Sequence, residues 1–205
     1  MRSRTLFPTR IQETEIGDPS LVSDLEAAIW MLEDGDDAGH RWCETHGYDG
    51  YTSYASLDDL PTRASAFETL SGALAADADA FAETLGWDMD GRCLVLDSLW
   101  VNILGEGGSH SGHIHPNSVV SGTVYVSVPQ GAGAIRFEDP RLAMLQAAPP
   151  MRVDADESQK RFVHITPKAG RVLMWESWLR HEVMPNRAET PRLSISFNFA
   201  LDAAD

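Results

Sequence analysis

The chain has 205 residues, of which 43% are hydrophobic and 23% are charged, and its formal net charge is -15. This length suffices for the core of one domain but is short for two. A surface this acidic repels phosphate backbones and anionic lipids, so nucleic acids and membranes are excluded as expected partners. A small-molecule or peptide substrate is compatible with it, and so is a homodimer.

Cysteine content and the start of the chain indicate a cytoplasmic protein. Two cysteines, Cys43 and Cys93, make no disulfide framework and fit a reducing compartment. The basic residues near the N-terminus are not followed by an apolar run of signal length. No stretch approaches the ~18 apolar residues of a membrane span.

The first 91 residues are predicted to be mainly helical and to support the rest of the chain. Thr5–Ile11 is predicted as a short edge strand, because sheets accept a proline such as Pro8 mainly at an edge. Asp18 and Pro19 then fit the N-cap and the first position of a helix. Its apolar stripe consists of Leu21, Val22, Leu25, Ala28, Ile29 and Leu32.

A second helix is predicted to follow Pro61 and to end at Gly86. Its apolar stripe consists of Ala64, Phe67, Leu70, Leu74, Ala78, Phe81 and Leu85. Phe67 and Phe81 are expected to be buried against the structure that the second half of the chain forms.

From Arg92 onward, short β-rich runs alternate with turn signals. The predicted strands are Leu94–Leu104, Val119–Val128, Ala134–Phe137, Phe162–Ile165, Arg171–Trp175 and Arg192–Leu201. Helices followed by strands are typical of an α+β domain. Because nothing between Gly86 and Arg92 resembles a linker, one domain is expected over 1–205, mainly helical in 1–91 and β-rich in 92–205.

Two of these strands alternate polar and apolar residues. Their polar faces are formed by Arg192, Ser194, Ser196 and Asn198 in the last strand and by Ser121, Thr123, Tyr125 and Ser127 in Val119–Val128. One interpretation is a sheet with one solvated face. The other is a barrel whose apolar outer face lies under the helices and whose polar inner face holds a charged ligand.

Three histidines lie close together in the sequence, at positions 110, 113 and 115. On a strand, His113 and His115 would share one face and could bind one ion. His181, just after the Arg171–Trp175 strand, is the best candidate for a third ligand. Histidines around open coordination positions suit iron(II) oxygen chemistry. His110 is a competing ligand, and its alternative role is a hydrogen bond within the loop.

Arg192 lies eleven residues after His181, and Arg192-Leu-Ser194 places a guanidinium and a hydroxyl on one strand face. This pair suits a buried carboxylate, which a guanidinium binds through two parallel hydrogen bonds. The alternative is that Arg192 pairs with a structural acid such as Glu138 or Asp139.

Asn102 and Tyr125 are further candidates for the same site. Asn102 shares a strand face with Trp100, and its amide could bond to a carboxylate or keto oxygen of a metal chelator. A structural role at a strand end is the alternative for this residue. Tyr125 lies on the polar face of its own strand.

These residues resemble the pattern of the 2-oxoglutarate- and iron(II)-dependent oxygenases, which is His-x-Asp/Glu, a distal His, and a later Arg or Lys. Here the pattern reads His113-Ile-His115, His181 and Arg192-Leu-Ser194. A closer similarity is to a family of bacterial and phage oxygenases, through Trp100-Val-Asn102, Phe137-Glu-Asp-Pro-Arg, Ser177-Trp-Leu-Arg-His-Glu-Val and Arg192-Leu-Ser-Ile-Ser-Phe-Asn.

The resemblance implies a double-stranded β-helix (a jelly-roll, cupin-like barrel) with the helices on its outer face. The implied cofactors are Fe(II), bound by His113, His115 and His181, and the co-substrate 2-oxoglutarate, bound by Arg192, Ser194, Asn102 and Tyr125. The implied dioxygenase reaction hydroxylates a small molecule or a protein side chain and releases succinate and CO2. One departure is that His115 stands where the family has a carboxylate, which adds one positive charge to the site.

Two other functions remain open. A three-histidine cupin-type metal enzyme would share the barrel without using 2-oxoglutarate, although the glutamate expected after its His-x-His is missing. A non-enzymatic metal- or metabolite-binding barrel would share it too. The Phe137–Arg141 loop and the Leu142–Arg161 insertion, with Trp175 and Trp178 nearby, are expected to form the pocket for the primary substrate.

Overall fold

Two antiparallel sheets and a group of helices make up the computed structural model, which describes residues 2–202. The strands are β1 (Ile11–Glu15), β2 (Gly50–Thr52), β3 (Leu94–Leu104), β4 (His110–His113), β5 (Val120–Ser127), β6 (Ile135–Glu138), β7 (Phe162–Ile165), β8 (Arg171–Glu176), β9 (His181–Val183) and β10 (Arg192–Leu201). The helices are α1 (Pro19–Gly35), α2 (Asp37–His46), α3 (Leu60–Arg63) and α4 (Ser65–Leu85).

The two sheets form the double-stranded β-helix that the sequence predicts. The larger sheet has the strand order β1-β8-β5-β10-β3-β2, and the smaller sheet has the order β4-β9-β6-β7. From β3 to β10 the chain therefore crosses repeatedly between the sheets, which is the wiring of a jelly roll. The only consecutive strands of this half that stay in one sheet are β6 and β7, within the described residues.

The helices cover the outer face of the larger sheet, as predicted. One buried core joins Leu25 and Ile29 of α1, Phe67, Leu70, Leu74 and Phe81 of α4, and Val101, Val124, Ile195, Phe197 and Phe199 of the sheet. Asp18 caps α1 by accepting a hydrogen bond from the backbone N–H of Ser20 at 2.9 Å. Gly86 ends α4 with a φ of 71°, a conformation that favours glycine. None of the helices within residues 2–202 has both the length and the apolar character needed to cross a membrane.

A second apolar cluster lies between the sheets. It comprises Tyr125, Ile135, Phe137, Leu173, Trp175 and Leu179. Strand β8 contributes to both cores, because Leu173 and Trp175 point inward while Val172 and Met174 join the core under the helices. The barrel interior is therefore apolar near β6 and β8 and polar along β10.

We expect truncation of Phe67 or Phe81 to alanine to destabilise the protein strongly. Both rings are completely buried in the core between α4 and the larger sheet. Removing either leaves a cavity and should lower the free energy of unfolding by about 3–5 kcal/mol. Urea denaturation measures this change. A variant that loses activity at an unchanged melting temperature would contradict the purely structural role of these rings.

The edge strand lies further along the chain than its predicted position. The prediction was Thr5–Ile11, whereas β1 begins at Ile11 and pairs with β8. Contacts with α4 explain the difference, because Gln12 donates a hydrogen bond to the Asp77 carbonyl oxygen at 2.7 Å and Thr14 donates one to the Asp77 carboxylate at 2.6 Å. The sequence alone does not reveal these contacts between distant residues.

Several short elements were also missed by the sequence patterns. Strands β2 and β9 have only three residues each, which is too few to show an alternation, and β4 (His-Ser-Gly-His) contains no apolar residue. Helix α2 is capped by Asp36, which accepts hydrogen bonds from the Gly39 N–H and the Tyr51 hydroxyl, both at 2.9 Å. The predicted second helix is divided, because Ala64 adopts an extended conformation between α3 and α4.

Candidate metal centre and co-substrate site

Three histidines meet between the two sheets. His113 ends β4 and His181 begins β9, and they lie opposite each other in the ladder between these strands. His115 lies two residues beyond β4, and its backbone N–H donates a hydrogen bond to the Ser177 carbonyl oxygen at 3.0 Å. The prediction that both histidines lie on one strand is wrong, because β4 ends at His113, but their rings still lie side by side.

The three imidazoles are close enough for one ion to contact all of them. One ring nitrogen of each lies within 4.8 Å of one ring nitrogen of both others. The ring centroids of His113 and His181 are 4.4 Å apart, and His115 lies 5.1 Å from His113 and 5.3 Å from His181. The structure thus brings the three predicted ligands into one cluster.

Hydrogen bonds orient the rings so that Nε2 is available. His113 Nδ1 lies 2.7 Å from the Ser111 carbonyl oxygen, and His181 Nδ1 lies 2.9 Å from the Leu179 carbonyl oxygen. A carbonyl accepts a hydrogen bond, so Nδ1 carries the proton and Nε2 keeps its lone pair. His115 Nε2 is buried and has no hydrogen-bond partner among the described residues. Buried nitrogens without protein partners fit a bound metal ion.

Burial also keeps these imidazoles uncharged at neutral pH. Desolvation lowers the pKa of His115 to about 4 and that of His181 to about 3. The neutral ring is the form that donates a lone pair to a metal. Protons therefore compete little with a metal ion for these two ligands near pH 7.

His110, the competing ligand, lies outside the cluster. Its Nε2 is 2.6 Å from the hydroxyl of Tyr48, within hydrogen-bonding distance. Desolvation lowers the pKa of His110 to about 4, so its ring is also neutral. The structure gives His110 the hydrogen-bonding role that was its alternative, with a tyrosine as partner.

The guanidinium of Arg192 is buried, and few protein groups bond to it. Arg192 is only 2% exposed, and its Nη1 donates a hydrogen bond to the Gly133 carbonyl oxygen at 3.1 Å. Its Nε has no partner among the described residues. Glu138 and Asp139, the alternative partners, pair with other arginines. Desolvation lowers the pKa of Arg192, which means that its charge is poorly stabilised until an anion arrives.

Ser194 and Tyr125 are neighbours of this guanidinium. Ser194 lies opposite Tyr125 in the ladder between β10 and β5. The Tyr125 hydroxyl is buried without a partner in the described part of the chain, and the Arg192 Cζ atom lies 5.8 Å from its ring centroid. Desolvation raises the pKa of Tyr125 to about 12, so its hydroxyl keeps its proton at neutral pH. Arg192 Nε and the Tyr125 hydroxyl are therefore two donors that could bond to a bound carboxylate.

Asn102 is already engaged by protein groups. It lies opposite Ser194 on β3 and is buried. Its Oδ1 accepts a hydrogen bond from Thr52 Oγ1 at 3.0 Å, and its Nδ2 donates one to Ser196 Oγ at 3.1 Å. Asn102 therefore links β2, β3 and β10 near the unpaired donors of Arg192 and Tyr125.

All seven predicted site residues line a single cavity of about 750 Å³. They are His113, His115, His181, Arg192, Ser194, Asn102 and Tyr125. Sequence reasoning missed another part of the lining, namely Trp42 of α2 and Tyr48 and Tyr54 around β2. The signal that could have found them is the density of aromatic residues between positions 42 and 54.

The loop expected to form the substrate pocket lies elsewhere. Phe137–Arg141 and part of the Leu142–Arg161 insertion line a different cavity, of about 600 Å³, together with residues 5–9. Trp178 faces that second cavity, whereas Trp175 lines the cavity of the histidines. The loop joins β6 to β7 at the edge of the smaller sheet furthest from β4, which separates most of it from the histidines, and its part in binding the primary substrate stays a prediction.

The structure combines a double-stranded β-helix with clustered histidines and a buried arginine in one cavity. This combination is typical of non-haem, metal-dependent enzymes. Residues 98–198 match the model of a family described as "Putative 2OG-Fe(II) oxygenase". These residues belong to this family of 2-oxoglutarate- and iron(II)-dependent oxygenases, which are oxidoreductases that use iron and 2-oxoglutarate. No curated protein matches the sequence significantly.

Several solved structures have the same fold as this chain. SnoN, a non-haem α-ketoglutarate-dependent epimerase from nogalamycin biosynthesis, is 15% identical with a TM-score of 0.64, over 94% of this chain and 77% of that chain. A prolyl-4-hydroxylase from Pseudomonas putida is 17% identical with a TM-score of 0.63, over 95% and 94%. HygX from Streptomyces hygroscopicus, solved with nickel and 2-oxoglutarate bound, is 13% identical with a TM-score of 0.61, over 94% and 83%. At these identities the likeness establishes the fold, and the predicted barrel is confirmed.

Proposed function

We propose that the protein hydroxylates an organic substrate with dioxygen, one oxygen atom entering the substrate and the other entering the succinate that forms from 2-oxoglutarate with release of CO2. The observation that supports this most is one cavity lined both by the three imidazoles and by the buried guanidinium of Arg192. The imidazoles suit a metal that chelates the keto-acid group, and the guanidinium suits the distal carboxylate. The similar structures include a prolyl hydroxylase and an enzyme of nogalamycin biosynthesis, so both a peptide side chain and a small molecule are retained as substrates.

In this proposal His113, His115 and His181 bind iron(II) through Nε2. The carbonyl oxygens that accept hydrogen bonds from Nδ1 fix the tautomer and the ring direction in two of them. When bound, iron(II) with 2-oxoglutarate supplies the oxygen-activating redox chemistry. The protein contributes the placement of that chemistry and of the substrate beside it.

Arg192 and its neighbours bind the distal carboxylate of 2-oxoglutarate. The guanidinium offers donors in a planar fork, and the protonated hydroxyl of Tyr125 offers another. Ser194 presents a hydroxyl on the same strand face, and Asn102 holds the adjoining wall in place. Together these groups set the angle at which the keto-acid end reaches the histidines.

Aromatic and aliphatic side chains exclude water behind the histidines. The Trp175 ring centroid lies 4.7 Å from that of His181, and Phe137 lies 6.0 Å from it. An apolar wall strengthens electrostatic interactions in the site and protects reactive species from water.

Because the helices share a core with the larger sheet, we also propose that residues 1–205 work as one domain.

Within residues 2–202 the metal-ligand cluster contains histidines and no carboxylate, which is consistent with this proposal. Three neutral imidazoles leave the full charge of a divalent ion uncompensated, and the 2-oxoglutarate dianion would offset it. A three-histidine enzyme that does not use 2-oxoglutarate is the second candidate. Arg192 argues against it, because such an enzyme has no need for a buried guanidinium aimed into the metal cavity.

We expect the protein supplied with iron(II), 2-oxoglutarate and dioxygen to form succinate, slowly even without its primary substrate. Mass spectrometry of the products measures this conversion. Samples without iron, samples without dioxygen, and the His181→Ala variant are the controls and should form none. An enzyme that consumes dioxygen with iron alone and leaves 2-oxoglutarate intact would instead support the second candidate.

A further inference from the structure

Aromatic rings line the cavity in two rows that lead to the histidines. In the first row, Tyr54 packs edge-to-face on Trp100 at 5.2 Å, and Trp100 stacks on His115 at 6.1 Å between ring centroids. The second row contains Trp42 and Tyr48, whose centroids are 6.3 Å apart. It continues from Tyr48 through His110 to His113 at 5.6 and 6.4 Å.

A β-bulge adds a carboxylate to this lining. Opposite β10, Ser98 pairs with Asn198 and Leu96 pairs with Phe199, so Asp97 is an extra residue on β3. In a regular strand, neighbouring side chains point to opposite faces. The bulge allows both Asp97 and Ser98 to line the cavity, and bulges often redirect a side chain toward a functional site.

The charges along the cavity are unevenly distributed. Apart from its histidines, the described lining includes only two ionisable side chains that are charged at neutral pH, Asp97 and Arg192. Arg192 begins β10, and Tyr48 of the second row donates a hydrogen bond to the neighbouring Asn102 at 3.3 Å, so that row lies on the co-substrate side. Asp97 lies near the other end of β10, on the side of the cavity that Trp100 and Tyr54 line. Aromatic faces attract ammonium and guanidinium groups within about 6 Å, and a carboxylate strengthens the preference.

We propose that the primary substrate carries an ammonium or guanidinium group that binds beside Asp97, Tyr54 and Trp100. The proposal rests on the proposed function, because it assigns the substrate to another part of the same cavity. The net charge of -15 adds a long-range attraction for cations. An aromatic or aliphatic amine, or a basic side chain of a peptide, has the required chemistry.

Two pairs of probes of matched shape test the charge preference. Choline is compared with uncharged 3,3-dimethylbutan-1-ol, and 2-phenylethylamine with uncharged 2-phenylethanol. Each is titrated by calorimetry, without dioxygen, into protein loaded with manganese(II) and 2-oxoglutarate. At least one cation should bind on the order of tenfold more tightly than its uncharged partner, since desolvated cation–π contacts together with a carboxylate supply this much.

Asp97→Asn should remove most of this preference and leave the affinity for the uncharged probes unchanged. Asp79→Asn is the matched control, because Asp79 is an exposed carboxylate on α4 and its loss changes the net charge equally. Tyr54→Leu should also weaken cation binding, and it should fold because Tyr54 is 61% exposed.

The proposal is overturned if neither cation binds more tightly than its uncharged partner, or if Asp97→Asn and Asp79→Asn have equal effects. Titration of 2-oxoglutarate into the same preparations separates this failure from a failure of the proposed function. Normal 2-oxoglutarate binding without a cation preference would refute only the substrate class, whereas loss of metal-dependent 2-oxoglutarate binding would refute both.

Discussion

Replacing His181 with alanine is expected to lower the affinity for iron(II) by more than about 100-fold. Mutating a group that only orients a metal ligand lowers metal affinity by roughly 10–100-fold, so removing a ligand itself should lower it further. His181 is 4% exposed and lies 4.4 Å from His113 between ring centroids, so no other described histidine replaces it without movement of the backbone. His113→Ala should behave in the same way. Metal analysis and anaerobic titration with iron(II) measure both effects.

Three further variants test which histidines form the ligand set. His115→Ala should lose the metal, whereas His110→Ala should retain it because His110 bonds to Tyr48 instead. His164→Ala on β7 is the matched control, since that histidine is exposed and lies outside the cluster. Stoichiometric iron in both His113→Ala and His181→Ala would refute the assignment. Iron retained by His115→Ala and lost by His110→Ala would move the site to His110 and His113.

Arg192→Met is expected to weaken 2-oxoglutarate binding by ~30-fold or more. Breaking a buried, charge-assisted pair costs on the order of 2–5 kcal/mol, and each 1.4 kcal/mol is about tenfold in affinity. Arg192→Lys keeps the charge but loses the planar fork, so it should weaken binding less than Arg192→Met. Calorimetric titration of 2-oxoglutarate into protein loaded with manganese(II) under anaerobic conditions measures both changes.

Two controls make this result specific to the carboxylate site. The iron content of the Arg192 variants should be nearly unchanged, because the guanidinium is no metal ligand. Arg10→Met removes an exposed positive charge outside the cavity lining and should leave 2-oxoglutarate affinity unaltered. If Arg192→Met bound 2-oxoglutarate as tightly as the parent protein, the main reason for preferring this co-substrate would be lost.

The sequence predicts the inner face of the barrel because its residues alternate with a period of two. Arg192 and Ser194 lie on the polar face of a strand whose other face is apolar, and the structure buries both inside the barrel. The N-cap at Asp18 is equally local, since it depends on a hydrogen bond to a residue two positions away. Such short-range patterns transfer directly from sequence to structure.

The parts that the sequence does not predict depend on distant contacts. The turn that carries His115 is fixed by a hydrogen bond to Ser177, sixty-two residues later. The aromatic side of the cavity comes from Trp42 and Tyr48, in the part of the chain interpreted as structural support. The Phe137–Arg141 loop, by contrast, faces a different cavity. The periodicity of a sequence does not indicate which distant loops come together at a site, so these positions can be learned only from the folded structure.

In the proposed function, one cavity binds a metal through three histidines and binds 2-oxoglutarate through both the metal and Arg192. Titration of 2-oxoglutarate into the anaerobic protein, with and without manganese(II), tests it most directly, because no primary substrate is needed. The proposed function predicts tight binding only with the metal, and loss of this metal dependence in His181→Ala. Equal affinity in the presence and absence of metal, or no binding under either condition, would contradict it.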